Sequence, residues 1–96
     1  MEVRWLLWDD YNIEHIAKHG VKPAEVEQVV FGTGMKGPFE DNRSRTGRLV
    51  FFGFSGPTLN RRTLVAVTDR PTANGDAYVL SARPATDRER MKYMEE

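Results

Sequence analysis

The chain contains no cysteine. That excludes disulfide staples, thiolate nucleophiles and zinc–thiolate sites, and it fits a reducing compartment. No apolar run approaches the about 18 residues that a membrane-spanning helix needs. The start, MEVRWLLWDD, lacks the apolar core of a secretory signal. The expectation is a soluble cytoplasmic protein with no membrane partner. A Gly-rich phosphate loop and an HExxH zinc signature are also missing. There are two histidines, His15 and His19, one helical turn apart. With no third ligand placed beside them, no metal and no cofactor is expected. Internal repeats, low-complexity tracts and linkers are absent, and 96 residues make one domain, 1–96.

What is present begins with a charge balance that hides a segregation. Lys+Arg and Asp+Glu each number 14. Residues 1–41 hold four basic and eight acidic side chains, while residues 42–96 hold ten basic and six acidic. The second part is therefore formally +4 and can attract a polyanion in a protein of zero net charge.

Apolar periodicity gives the element order. Val3–Trp8 reads as a strand. A helix capped by Asp9 or Asp10 follows, with Ile13, Ile16 and Ala17 as its apolar face and Gly20 as its C′ residue. A second helix starts at Lys22-Pro23, with Val26, Val29 and Val30 turned inward. Residues 32–47, broken by Gly32, Gly34, Gly37 and Pro38, read mostly as loop with room for one short strand. Three strands follow, at Arg48–Ser55, Arg62–Asp69 and from Ala77 to Pro84. Their short connections, 56–60 and 70–76, predict an antiparallel meander. Thr86, with Glu89 three residues on, is a capping box that opens a last helix carrying Arg88, Arg90, Lys92 and Tyr93. The fold class is α+β, with two N-terminal helices on one face of a small antiparallel sheet and a C-terminal helix.

The stretch Ala77–Tyr93 is the one with chemistry in it. A strand end, a tight corner and a helix start bring Arg83, Glu89 and Tyr93 within a dozen residues. Arg83 can bind a phosphate bidentately. Glu89 and Tyr93, one turn apart, can carry protons or orient a ligand, although a capping role alone also explains Glu89. Arg48 is a second phosphate candidate, and Arg45 competes with it. His19 has the side chain suited to proton transfer near neutrality, though a cation before a C-capping glycine is favoured by the helix dipole alone. Lys18, Arg88 and Arg90 complete the set of basic candidates.

Two groups of residues resemble a known family. Trp8-Asp9 with Asn12, then Lys18-His19-Gly20-Val21, resembles the WDxxKxxxNxxKHGV opening of the BrnT-like toxins of bacterial type II toxin–antitoxin systems. Ser81-Ala82-Arg83 with Ala85, Arg88, Glu89 and Tyr93 resembles that family's ISARxAxxxExxxY ending. Arg48 and Gly53 fall where the family has its GxxR-strand-G segment. The resemblance implies a RelE-like fold and a metal-independent endoribonuclease that cleaves RNA and inhibits translation. Arg83, Glu89, Tyr93, Arg48 and His19 would be its catalytic candidates, and Lys18, Arg45, Arg88 and Arg90 its RNA contacts. It also implies a ribbon-helix-helix antitoxin as partner, through which the pair reaches operator DNA. The competing expectation is a non-catalytic RNA- or protein-binding module with the same fold.

Overall fold

A computed structural model of the chain describes residues 2–41, 47–56 and 61–94. Arg45 and most of the polar 41–47 segment lie outside the described residues, as do 57–60 of the β3–β4 connection. The elements run β1 (Trp5–Leu7), α1 (Asp10–Ala17), α2 (Pro23–Phe31), β2 (Lys36–Asp41), β3 (Arg48–Ser55), β4 (Arg62–Thr68), β5 (Asp76–Pro84) and α3 (Asp87–Tyr93). The α+β class is as expected. The five strands form one sheet in the order β1-β5-β4-β3-β2.

Strands β2 to β5 make the expected antiparallel meander. The sheet is nevertheless mixed, because β1 pairs parallel to β5, with Leu6 opposite Ala77. Parallel partners need a long crossover, and here everything between the first and last strands supplies it. The first strand is also shorter than Val3–Trp8. Its Trp5 is 64% exposed, whereas Trp8 packs against the core and donates from Nε1 to Glu27 Oε2 at 3.0 Å.

Asp9 is the cap of α1. Its Oδ1 accepts from the Asn12 amide at 2.9 Å, and Asn12 Oδ1 accepts in return from the Asp9 amide. The helix closes as the glycine suggested. Gly20 has φ 73°, and the Val21 N–H reaches back to Ile16 O while the Gly20 N–H reaches Ala17 O. That is the paired closure of a Schellman motif, with Ile16 and Val21 both buried. The apolar face differs from expectation. Ile16 enters the core, but Ile13 and Ala17 are exposed, and Asn12 is buried in their place. With the cap at Asp9, the inward line of this 8-residue helix is Asn12 and Ile16, spaced i, i+4. The Asn12 amide remains satisfied by donating to Leu7 O at 2.9 Å and Val79 O at 3.1 Å.

Helix α2 carries Pro23 in its first turn and buries Val26, Val29 and Val30 as read. It lies close on β3 because Gly53 has no side chain; a Cβ there would meet Val29 Cγ1 at 3.0 Å and Val29 O at 3.1 Å. Leu49, Phe51, Leu64, Ala66, Ala77, Val79 and Ala82 fill the sheet side of this core. Thus α1 and α2 share one face. Residues 36–41, expected mostly as loop, form the edge strand β2. Pro38 is tolerated there because an edge strand leaves backbone donors unpaired, and the register slips between Lys36 and Phe39 around it.

Candidate functional site

The face of the sheet opposite α1 and α2 carries the site. Directly paired residues in antiparallel strands point the same way. Core-facing Ala82 lies opposite Ala66, so Arg83, opposite Val65, points to the other side. Val65 lies opposite Phe52, and Phe52 opposite Lys36. One row across four strands therefore reads Arg83, Val65, Phe52, Lys36. The next reads Ser81, Val67, Val50, Phe39.

After Pro84 the chain turns back over this face. The Ala85 N–H donates to Thr63 O at 2.9 Å, tying the corner to β4. Thr86 caps α3, its Oγ1 accepting from the Glu89 amide at 3.1 Å. The Glu89 carboxylate closes the box by accepting from the Thr86 amide at 2.9 Å. The same carboxylate takes both arms of the Arg83 fork. Nη1 donates to Oε1 at 2.7 Å and Nη2 to Oε2 at 2.8 Å. The two explanations for Glu89, cap and site residue, are thus one arrangement. Hydrogen bonds from Arg83 outweigh partial burial and hold the Glu89 carboxyl at about 2, far below its ordinary 4.5. The same bonds raise Arg83, which stays charged.

Tyr93, one turn beyond Glu89, lies flat on Phe52 with ring centroids 4.3 Å apart and planes at 15°. Phe39 from the edge strand closes the group, 5.2 Å from Tyr93 and 5.9 Å from Phe52. Arg83, Arg88 and Lys92 line a cleft of about 420 Å³ around these rings, with Glu40 and Asp41 on its rim. Glu40 is engaged by Arg70 at 2.9 Å.

The structure thus brings together Arg83, Glu89, Tyr93 and Arg88. Arg48 shares their face by register, opposite Asp41, at the far end of β3. Arg90 points to the other side of α3, where it pairs with Asp87 at 2.9 Å and lines a different cleft. Lys18 and His19 are not at this site. They end α1, on the opposite face of the sheet, beside Gly20, whose carbonyl accepts from Arg62. His15 and His19 meet edge-on at 6.0 Å, and no cluster of three metal-binding side chains exists among the described residues. Arg45 lies outside the described residues.

Sequence reasoning missed the aromatic wall. One signal existed: Phe51 and Phe52 are neighbours in a strand apolar on both faces, so one of them had to leave the main core. It also missed Arg61 and Arg62, at the start of β4. Arg62 grips Glu25 through Nη2 at 2.9 Å and Nε at 3.2 Å. Burial pushes the Glu25 carboxyl up, but hydrogen bonds from Arg62, the Lys22 amide and Ser55 together bring it below its ordinary value.

The chemistry available is specific. A forked cation sits on an open face beside stacked rings, oriented by a carboxylate already bound to it. With Glu89 on both Nη atoms, Nε–H and the second Nη2 hydrogen are the donors such a group can still offer to an anion. Glu89 is a poor proton carrier near neutrality, because a general acid or base works best with a pKa near the working pH. Tyr93 bears a hydroxyl on the same helix face. In comparisons with protein-family models, with curated proteins and with solved structures, nothing matches this chain.

Proposed function

We propose that the chain is a RelE-like, BrnT-like toxin of a bacterial type II toxin–antitoxin system. It acts as a cytoplasmic, metal-independent endoribonuclease that cleaves RNA and stops translation. A ribbon-helix-helix antitoxin neutralises it and carries the pair to operator DNA. The observation that carries this reading is Arg83, clamped by Glu89 on the open sheet face beside Tyr93, where the family resemblance places its terminal motif.

In this reading the RNA supplies its own nucleophile. The 2′-hydroxyl gives its proton to solvent water as its oxygen attacks the adjacent phosphorus; the 2′-O–P bond forms and the P–O5′ bond breaks. The products are a 2′,3′-cyclic phosphate and a 5′-hydroxyl. Arg83 holds the phosphate and stabilises the charge that builds on its oxygens. Glu89 positions Arg83 and leaves proton transfer to others. Tyr93 is the proton donor to the departing 5′-oxygen. Arg88, Lys92 and Arg48 draw in the flanking phosphates. Lys18 and His19 take no part in the chemical step.

One observation favours the second reading, a non-catalytic RNA- or protein-binding module. Three cations (Arg83, Arg88, Lys92) and three carboxylates (Glu40, Asp41, Glu89) line the cleft, so its formal charge is zero. Induced expression in a bacterial host separates the two. With wild type, protein synthesis should stop and RNA with new 5′-hydroxyl ends should accumulate. Arg83→Ala should stay folded by circular dichroism and lose ~10²–10³ of the cleavage rate. Unchanged growth with intact RNA, at good soluble expression of wild type, would overturn the ribonuclease reading in favour of the binding module.

A further inference from the structure

We infer that the chain carries a second site, on the far side of α3 from Arg83, that holds the backbone and one base of single-stranded RNA. It deepens the ribonuclease reading by giving the substrate strand a flanking subsite, and it rests on that reading only for what happens to the strand.

The cleft there has a volume of about 500 Å³, and Phe54, Arg61, Arg62, Thr63, Asp87 and Arg90 line most of it. Its charge is concentrated on one group. Arg62 is paired with Glu25 and Arg90 with Asp87, which leaves Arg61 as the cleft's unneutralised cation among the described residues. An anion approaching this side is therefore drawn to Arg61.

The geometry suits a nucleotide. Phe54 and Thr63 are direct cross-strand partners, so both point to the α3 side of the sheet. Arg61 is exposed, and its guanidinium carbon lies 4.0 Å over the Phe54 ring centre. It has no carboxylate partner among the described residues. A planar guanidinium fixed on an aromatic ring offers its outer face to an unstacked base. Arg90 is already positioned by Asp87, so its fork is ordered before any phosphate arrives, whereas Arg62 lines the cleft but turns its fork to Glu25 and the Gly20 carbonyl. Apart from Phe54, Ala85 and Met94 the cleft is polar. That matches a phosphodiester better than an apolar peptide side chain. Helix α3 separates the two clefts, sending Arg88 into one and Arg90 into the other. A strand crossing α3 would meet both.

The test needs no cleavage. A fluorescein-labelled 12-nucleotide RNA with 2′-O-methyl groups throughout has no free 2′-hydroxyl, so it cannot be cut by the proposed chemistry. Its binding to the purified chain is followed by fluorescence anisotropy over a range of salt concentrations. Arg61→Ala, at an exposed position, should keep the wild-type urea midpoint. It should weaken binding roughly ten-fold, and the log–log salt slope should become shallower by about 0.7. Arg61→Glu should weaken it further, and Phe54→Leu should reproduce the loss of stacking. Wild-type affinity and slope in both Arg61 variants would overturn the site, as would failure of wild type to bind the RNA. A labelled polyglutamate that bound as tightly as the RNA, with the same Arg61 dependence, would overturn RNA as the occupant in favour of an acidic protein segment. The two readings fail separately. RNA bound with Arg61 dependence but, unmodified, left uncut sinks the ribonuclease and keeps this site. RNA cut normally by an Arg61→Ala chain that binds like wild type does the reverse.

Discussion

The two faces of the sheet are built to different specifications from the same strands. On the α1–α2 face, Ile16, Val26, Val29, Phe51, Leu64 and Val79 are almost fully buried, and no buried side-chain polar atom among the described residues lacks a partner. On the α3 face a helix of 7 residues buries none of them completely. It is fastened by a capped corner, one ion pair and one stacked ring. Strand β3 shows the contrast residue by residue, since Phe51 serves the first face and Phe52 the second. Cores that hold a fold leave little surface for binding, whereas a lightly covered face can expose charges and rings to a ligand. Stability should therefore reside on one side and recognition on the other.

The sharpest way to break that division is to shorten each phenylalanine in turn. Phe51→Ala empties a closed core and should cost ~3–5 kcal/mol, enough to unfold much of a domain of this size. Phe52→Ala opens a gap that Tyr93 and water can partly refill, and should cost roughly 2 kcal/mol less. Urea unfolding of the two variants measures the difference. Equal losses would mean that α3 belongs to the core. Next in size is Asn12→Ala. It strips a hydrogen bond from the carbonyls of Leu7 and Val79 and removes half of the α1 capping box. A loss of ~2–3 kcal/mol in the same assay is expected, because buried groups left without partners carry the full cost of desolvation.

Which parts of this were legible in the sequence depends on the range of the interaction. The Asp9 cap, the Gly20 closure and the Thr86–Glu89 box span a few residues, and their residue types announce them. The inward stripe of α2 follows from periodicity. Asn12 misled, because a polar residue on the buried line is satisfied by carbonyls from β1 and β5, and only the folded sheet brings those together. The parallel β1–β5 pair joins the chain's first strand to its last, which no local pattern encodes. Strand β2 was hidden by glycine and proline, which an edge strand tolerates. At the candidate site, the corner that carries Arg83 and Glu89 was readable, but their bidentate clasp was not. The Phe39–Phe52–Tyr93 group needs the register of three elements. Lys18 and His19 drew attention through their motif, and the fold puts them behind the sheet.

The clasp itself gives a smaller effect with a clear sign. Because the folded-state pKa of Glu89 lies at about 2, below the 4.5 of the unfolded chain, its contribution is complete above pH 4.5 and disappears as pH falls through about 2. The pair is partly exposed, so solvent screening reduces the effect to ~1 kcal/mol. Glu89→Gln preserves the capping geometry and removes the charge. The gap in urea midpoint between wild type and this variant should narrow steadily from pH 4.5 downward. A gap that stayed constant would show that Arg83 draws nothing from the carboxylate.

The smallest change in stability should come with the most informative change in binding. Thr86→Ala removes the hydroxyl that caps α3, ordinarily worth ~1 kcal/mol to a helix. Since α3 buries no residue completely, fraying it should move the global urea midpoint by less than that, with the α1–α2 core left intact. Yet the same turn holds the Glu89 carboxylate that orients Arg83, and it separates the two clefts. Amide hydrogen exchange should accelerate across Asp87–Tyr93 and stay unchanged in β3 and β4, while affinity for the uncleavable RNA falls by several-fold. If exchange accelerated in β3 and β4 as well, the two faces would be one cooperative unit, and the division between holding the fold and presenting the site would not stand.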